Sequence, residues 1–329
     1  MKDAAERRSI VETLPCQNDC TTGSRRGESA CIRTDDTSRI LWPVTVTIET
    51  GAARPAPRTT RLQPTHGFSR VLSPAELWRY RELGLQIALR DITVRYRQTV
   101  LGAAWAVIQP VASMVVFSVL FGRLAHLPSE GHSYALFTLS ALVPWTFFAN
   151  SLLLGSDSLV GNAALISKIY FPRIFITAAV IVAGLVDLII AVVILLVVVG
   201  ASGDGPTLRV LLLPVFTLIA VAAALGIASG LAAANVRFRD VRYVVPFTVQ
   251  IWLFATPVAY SLTLLHEPWR TIVAVNPMVG VVEGFRWSVL GGDLAPWRYV
   301  AVSAAAAAVL LTVGLAYFDR VERSFADLL

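Results

Sequence analysis

Charge is scarce in this chain. Asp, Glu, Lys and Arg make up 15% of its 329 residues, where a soluble domain carries about a quarter. Hydrophobic residues make up 55% and the mean hydropathy is +0.64, the composition of a membrane protein. Lysine is almost absent: Lys2 and Lys168 are the only two, so the net charge of +6 rests on arginine. In an apolar chain arginines mark cytoplasmic loops more readily than a nucleic-acid surface, and no nucleic-acid partner is expected. Cys16, Cys20 and Cys31 are the only cysteines. An odd count without a matching histidine cluster supports neither a disulfide framework nor a metal site.

Catalytic motifs are missing too. There is no G-x-x-x-x-G-K-[ST], and neither lysine follows a glycine, so no loop cradles a phosphate. G-x-S-x-G and H-E-x-x-H are absent and the four histidines are scattered. The chain is therefore read as a non-enzyme without a bound cofactor. If ATP drives its work, ATP and Mg sit on a partner subunit. An enzyme acting on lipid-linked sugar would need paired carboxylates; Glu267 and Glu283 are the only pair in the outer segment, away from cytoplasmic donors. The first residues, MKDAAERRSIVETLPCQNDC, hold no apolar core of a cleavable signal peptide.

What is present divides at about residue 70. Residues 1–70 are rich in Arg, Thr, Pro, Ser and Gly and read as a mostly disordered cytoplasmic tail. Within it Val44, Val46 and Ile48 alternate like a strand, but an isolated strand is marginal. Residues 71–329 read as a transmembrane domain. Six stretches, roughly 103–123, 134–155, 174–200, 208–234, 243–263 and 298–318, can cross about 30 Å of hydrocarbon as helices. Arg90, Arg95 and Arg97, then Lys168 and Arg173, then Arg237, Arg239 and Arg242, then Arg320 and Arg323 all fall on one side, which the positive-inside rule makes the cytoplasm. Both termini are expected inside. The opposite side carries Arg270, Arg286 and Arg298 in an apolar segment near 264–297. A break at Asn276-Pro277 splits that segment into two short helices, expected to form an outer re-entrant hairpin with Glu283 and Arg286 in its second half. The fold class is thus an all-α membrane protein with six transmembrane helices, an N-terminal amphipathic interfacial helix and an outer re-entrant hairpin.

Four stretches carry a mechanism. Residues 74–97 form a helix after Ser73-Pro74, with one apolar stripe of Trp78, Leu85, Leu89, Ile92 and Tyr96 and a second of Tyr80, Leu83, Ile87 and Val94. Arg81, Arg90, Asp91 and Arg95 lie between the stripes. Two stripes predict a helix in the membrane surface with protein on its other side. The loop LGSDSLVGNAALISKIYFPR predicts a short helix, capped by Ser156 or Asp157 and ending before Pro172. Its Asn162, Ile166, Lys168, Tyr170 and Arg173 are either a partner contact or markers of the cytoplasmic side. The stretch ANVRFRDVRY, with Arg237, Arg239 and Asp240, is either an ion-paired turn fixing two helix ends or a second contact for a partner, and the first reading is favoured because short charged membrane loops usually set orientation. Asp187 is the only clear intramembrane carboxylate and reads as a hydrogen-bonded structural group rather than a proton relay. Gly226 and Gly230 suit close helix contact, and Pro110 is expected to kink the first span. Among the aromatics, most of which form an interfacial belt, Trp105, Phe117, Phe121, Trp145, Phe148, Trp252 and Tyr260 are candidates for the lining of a substrate path.

The stretches ELWRYRELGLQIALRDITVRYRQTVLGAAWAVIQP, NAALISKIYFPRIF, NVRFRDVRYVVPFTVQIWLFATPVAYS and NPMVGVVEGFRWSVLGG, taken in order, resemble the ABC-2 type permeases that export polysaccharides. The resemblance covers roughly residues 70–329. It implies a homodimer in the cell membrane with one channel between two halves, paired with a separate nucleotide-binding ATPase subunit. It places a coupling helix around Asn162 to Arg173, an interfacial helix at Trp78 to Arg97 and the outer hairpin, with Asn276, Pro277, Glu283 and Arg286, at Pro268 to Leu290. The implied cargo is an undecaprenyl-linked polysaccharide. An ABC-2 exporter of drugs or small lipids shares the architecture. An ion-driven transporter predicts repeated halves and several intramembrane ionisable groups, and neither is visible.

Overall fold

Long apolar runs fold as helices because no water in hydrocarbon bonds a free backbone group, and a helix bonds its own. The computed structural model describes residues 78–97, 104–166, 168, 171–202, 208–266, 268–292 and 296–322, all within one compact unit, Pro64–Leu329. The tail, the strand at 44–48, Tyr170 and Glu267 lie outside the described residues. Helices and turns account for what is described, with no strand among those residues.

The helices, numbered in chain order, are α1 (Arg81–Arg97), α2 (Trp105–Phe117, extended by a wider π turn Ser118–Leu124), α3 (Tyr134–Gly161), α4 (Ala163–Ile166), α5 (Ile174–Ala201), α6 (Leu213–Arg237, entered through a 3-10 turn at Leu208–Leu212), α7 (Val241–Ala255), α8 (Trp269–Val273), α9 (Pro277–Leu290) and α10 (Trp297–Glu322). Five stretches are long and apolar enough to cross a membrane: Val107–Leu124, Tyr134–Gly161, Ile174–Ala201, Leu208–Arg237 and Trp297–Glu322. The fifth expected span, 243–263, is shorter than its hydropathy suggests. Its helix is the 15-residue α7, about 22 Å long at 1.5 Å per residue and below the thickness of the hydrocarbon. Thr256 is extended, as a residue before proline prefers, and ends it.

At the centre stands α3, with Phe137, Leu142, Phe148, Leu152 and Leu159 buried. Small residues let its neighbours close in. A Cβ on Gly155 would lie 2.8 Å from that of Ala228 in α6, and Gly184 of α5 faces the Phe147 ring. The tightest seam joins α6 to α10, where a Cβ on Gly226 would lie 2.5 Å from the Leu310 carbonyl oxygen and one on Gly314 would run into the Gly226 carbonyl. The small-residue pair of α6 thus serves close helix contact, as its spacing predicts. Against α3, α6 and α10 packs α9, most of it buried. Asn276 caps α9 by accepting from the Met278 N–H at 3.0 Å and donates to Thr256 Oγ1 at 2.8 Å, so the Asn276-Pro277 break falls where expected.

The second stripe of α1 is the one that meets protein. Tyr80, Leu83, Ile87 and Ala88 join a cluster with Leu159, Phe171, Ile174 and Phe318, whereas Trp78, Leu85 and Leu89 face outward, as does Val94 at the far end of the second stripe. Gly84 abuts the Phe175 ring, while Arg95 and Tyr96 reach Asp187. Phe175 and Asp187 are about 18 Å apart along α5. α1 therefore climbs alongside the third span instead of lying across its end, a correction to the expectation of a helix flat in the surface. The cause is polar: Asp187 in an apolar span needs donors, and the end of α1 carries them.

Candidate functional site

Four contacts gather the arginine-bearing loops at one end of the bundle. Arg90 Nη2 donates to Asn162 Oδ1 at 2.8 Å; Asn235 Nδ2 donates to the Ser156 carbonyl at 3.0 Å; Arg242 pairs with Asp157 at 3.7 Å; and Arg173 Nη1 donates to the Glu322 carbonyl at 2.8 Å. The segments assigned to one side by loop charge therefore do come together in space. The loop after α3 differs in detail from expectation. α3 runs on to Gly161, so Ser156 and Asp157 lie inside it rather than capping a separate helix, and α4 is a single turn. Interior hydrogen bonds consume Ser156, and Asp157 is held by Asn235 and Arg242.

Of the loop residues, Lys168 is exposed and Ile166 half-buried. Asn162 is engaged twice, as acceptor from Arg90 and as donor to the Ser158 carbonyl at 2.9 Å, and Arg173 ties the start of α5 to the end of α10. In the other loop Arg237, Arg239 and Asp240 are all exposed. Arg237 rests 5.3 Å over the Phe238 ring. The ion pair at this turn is Arg242 with Asp157 of α3. On α1, Arg81 lies 4.1 Å over the exposed Trp78 ring and Arg90 pairs with Asp91 at 2.8 Å.

Midway along α5, Asp187 accepts from Arg95 Nη1 on one oxygen and from the Tyr96 hydroxyl on the other, which makes it the hydrogen-bonded structural group expected. Asp187→Leu strands Arg95 without its carboxylate and is expected to lower stability by about 2 kcal/mol, and Arg95→Leu added to it is expected to recover part of the loss. Thermal unfolding of the purified protein in detergent measures both.

The opposite end is organised by Arg286, only 3% exposed. It pairs with Glu283 at 2.8 Å, donates through Nη2 to the carbonyls of Pro257 at 3.0 Å and Val258 at 3.4 Å, and lies 3.6 Å over the Phe137 ring. The Tyr134 hydroxyl takes the Ala259 carbonyl, and Ser261 donates to Glu130. The non-helical backbone after α7 is thereby bonded by side chains, the condition on which such backbone is tolerated at membrane depth. Burial pushes the Glu283 carboxyl up and the Arg286 guanidinium down, and their mutual attraction opposes both shifts. Arg270 and Arg298 are likewise occupied, on the Thr263 carbonyl and on Thr271. Nothing in the sequence marked Arg286 as the bracket for residues 257–258; a lone arginine in an apolar, Pro-flanked segment was the available signal.

The aromatics divide. Trp145 and Phe148 are core residues, 4% and 0% exposed, and leave the candidate path lining because no passing chain reaches them. Trp252 packs edge-on against Phe148 with ring centres 5.3 Å apart. Trp105 is exposed, Phe117 and Phe121 pair at 5.4 Å on the half-buried face of α2, and Tyr260 is half-buried. Among the described residues no group of three or more His, Cys, Asp or Glu could hold a metal.

Residues 84–290 match the family described as ABC-2 type transporter. The O-antigen export system permease protein RfbA of Myxococcus xanthus is 31% identical over 254 residues, covering 77% of this chain and 97% of that protein. A protein of the same name from Klebsiella pneumoniae is 25% identical over 249 residues, 75% of this chain and 95% of that one. The polysialic acid transport protein KpsM of Escherichia coli is 22% identical over 237 residues, 72% of this chain and 92% of that one.

Proposed function

Because the chain belongs to the ABC-2 type transporter family, we infer that it is the membrane permease subunit of an ATP-driven exporter of polysaccharide. The observation that carries the reading is the 31% identity to an O-antigen export permease over 97% of its length. The chain is a multi-pass protein of the inner membrane. Hydrolysis belongs to a separate nucleotide-binding subunit that holds ATP and Mg.

In this reading the arginine-bearing end is cytoplasmic and both termini lie there, following the positive-inside rule. α7 together with the segment after it makes the fifth of six crossings, α8 and α9 form the outer hairpin, and α1 joins the cytoplasmic face to Asp187. Two copies enclose one channel, whose lining draws on Trp105, Phe117, Phe121 and Tyr260. The cargo enters as an undecaprenyl-linked glycan. The ATPase subunit docks on Lys168, Ile166, Arg237 and Arg239, the exposed or half-buried groups of the two loops. Asn162 and Arg173 act there as positioning residues, since both are already bonded within the bundle.

The test is a crosslink. With Cys16, Cys20 and Cys31 removed, Lys168→Cys is expected to crosslink to the ATPase subunit in a way that changes with bound ATP. A folded complex in which that cysteine is labelled from the cytoplasm but never crosslinks rejects the docking assignment. Surface glycan that survives deletion of the gene rejects the export reading itself.

A further inference from the structure

The far end of the first span, opposite the arginine-bearing loops, is weakly held. Almost none of Val107–Leu124 is buried, and neither is any residue of 121–134, the stretch that turns from α2 into α3. With so little buried apolar contact, local opening there takes little free energy. Two side-chain bonds carry the stretch across to the non-helical segment after α7: Glu130 accepts from the Ser261 hydroxyl, and the Tyr134 hydroxyl donates to the Ala259 carbonyl.

The first of these is the one the backbone bends to make. Glu130 has a φ of +54°, in the left-handed region that favours glycine, where another residue is held by its surroundings rather than by its own preference. His126, at +51°, shares that region, but histidine visits it more readily and its ring lies 3.3 Å from the Leu124 carbonyl. Glu130 instead sends its carboxylate to Ser261, 131 residues later.

The anchor is firm, yet the contact is reversible. Ser261 is fully buried, and its neighbour Leu262 packs with Ala274 and Val279 of the hairpin. Thr263 Oγ1 lies 2.7 Å from Ser261 Oγ, so a departing carboxylate leaves the buried hydroxyl with a partner. Glu130 itself is exposed and passes to water. Glu130, Leu262 and Thr263 also border a cavity of about 330 Å³, with Glu283 and Arg286 on its wall; open space, not a packed seam, backs the contact. Resting on the export reading above, we propose that Glu130 and Ser261 form a releasable strap, closed in this conformation, that fastens the first span to the outer hairpin and parts as cargo leaves the protein.

Labelling measures the strap directly. Leu262→Cys, in the background without native cysteines, places a buried thiol at the cavity wall, and its rate of reaction with a water-soluble methanethiosulfonate is followed on the permease in nanodiscs. Glu130→Gly keeps the left-handed backbone and removes the carboxylate; Ser261→Ala removes the donor and keeps the glutamate. Each is expected to speed labelling about tenfold, the loss of one charge-assisted hydrogen bond, whereas Glu130→Gln, which retains an acceptor, stays near the starting rate. Unchanged labelling in both variants overturns the strap, and acceleration by Glu130→Gly alone overturns it too, because loop flexibility then accounts for the effect.

A second measurement stands even if Leu262→Cys does not fold. Glu130→Cys with Ser261→Cys is bridged on intact cells by a short bifunctional methanethiosulfonate. Newly exported surface glycan per membrane-inserted permease is expected to fall at least tenfold and to return with dithiothreitol, while either single cysteine exports normally in the reagent. Export at the wild-type level through the bridged permease overturns the proposal. Failure of the export reading shows differently, as a deletion strain that keeps its glycan, and leaves the labelling result standing.

Discussion

Gly314→Leu is expected to abolish the folded protein. At this position the two backbones are already in contact: a Cβ would occupy the space of the Gly226 carbonyl, and one on Gly226 would meet the Leu310 carbonyl at 2.5 Å. Neither obstacle is the tip of a flexible side chain, so relief requires α6 and α10 to separate along their whole contact. Overpacking of ordinary cores is unfavourable by about 1–3 kcal/mol; a backbone clash in the tightest seam is expected to exceed about 4 kcal/mol, at the extreme of single-substitution effects. The check is the fraction of the protein that is extracted monodisperse in detergent, and its melting temperature. Gly230→Ala is the internal control. A Cβ there meets only Gly314 Cα at 3.7 Å, an ordinary contact, and alanine is the better helix former. It is expected to leave the melting temperature unchanged or raise it.

Arg286→Met ranks next. It removes the donors to Pro257 and Val258 and leaves the Glu283 carboxylate buried opposite nothing. Breaking a buried pair from one side is unfavourable by about 3–5 kcal/mol, and the carbonyls of the non-helical segment add to that. Glu283→Gln in the same chain is expected to restore part of the loss by removing the stranded charge, but not all, because the carbonyls stay unbonded. Glu283→Gln alone, which keeps an acceptor for Arg286, is expected to be the mildest of the three. Full restoration in the double variant would mean that Arg286 serves the carboxylate only, and not the backbone.

The five long helices were legible because hydropathy over some twenty residues is a sum, insensitive to any one neighbour. The Asn276-Pro277 break and the small-residue spacing of α6 were legible for the opposite reason, each being a local signal with one physical meaning. The end of α7 was hidden. Its apolar run continues past Ala255, and what permits the helix to stop there is Arg286, 29 residues beyond Pro257. The same blindness affected Arg173 and Asn162, whose polarity suggested a partner but whose bonds turn inward. It affected Trp145 and Phe148 too, since an aromatic in a span looks alike whether it lines a path or fills the core. Side-chain type tells what a residue can bond, and only the fold tells what is within reach.

The glycine seam has a mechanical consequence. Helices whose backbones touch cannot slide or twist past each other without first separating, so α6 and α10 behave as one rigid beam. α9 is fastened to that beam, with the Gly280 N–H donating to Ser303 Oγ at 2.8 Å. Any change of shape that opens and closes the protein must then be taken up elsewhere. Pro110 interrupts the ladder of α2 and Ser118–Leu124 is wound more loosely, which makes the first span the compliant member and the seam the fixed frame against which it bends.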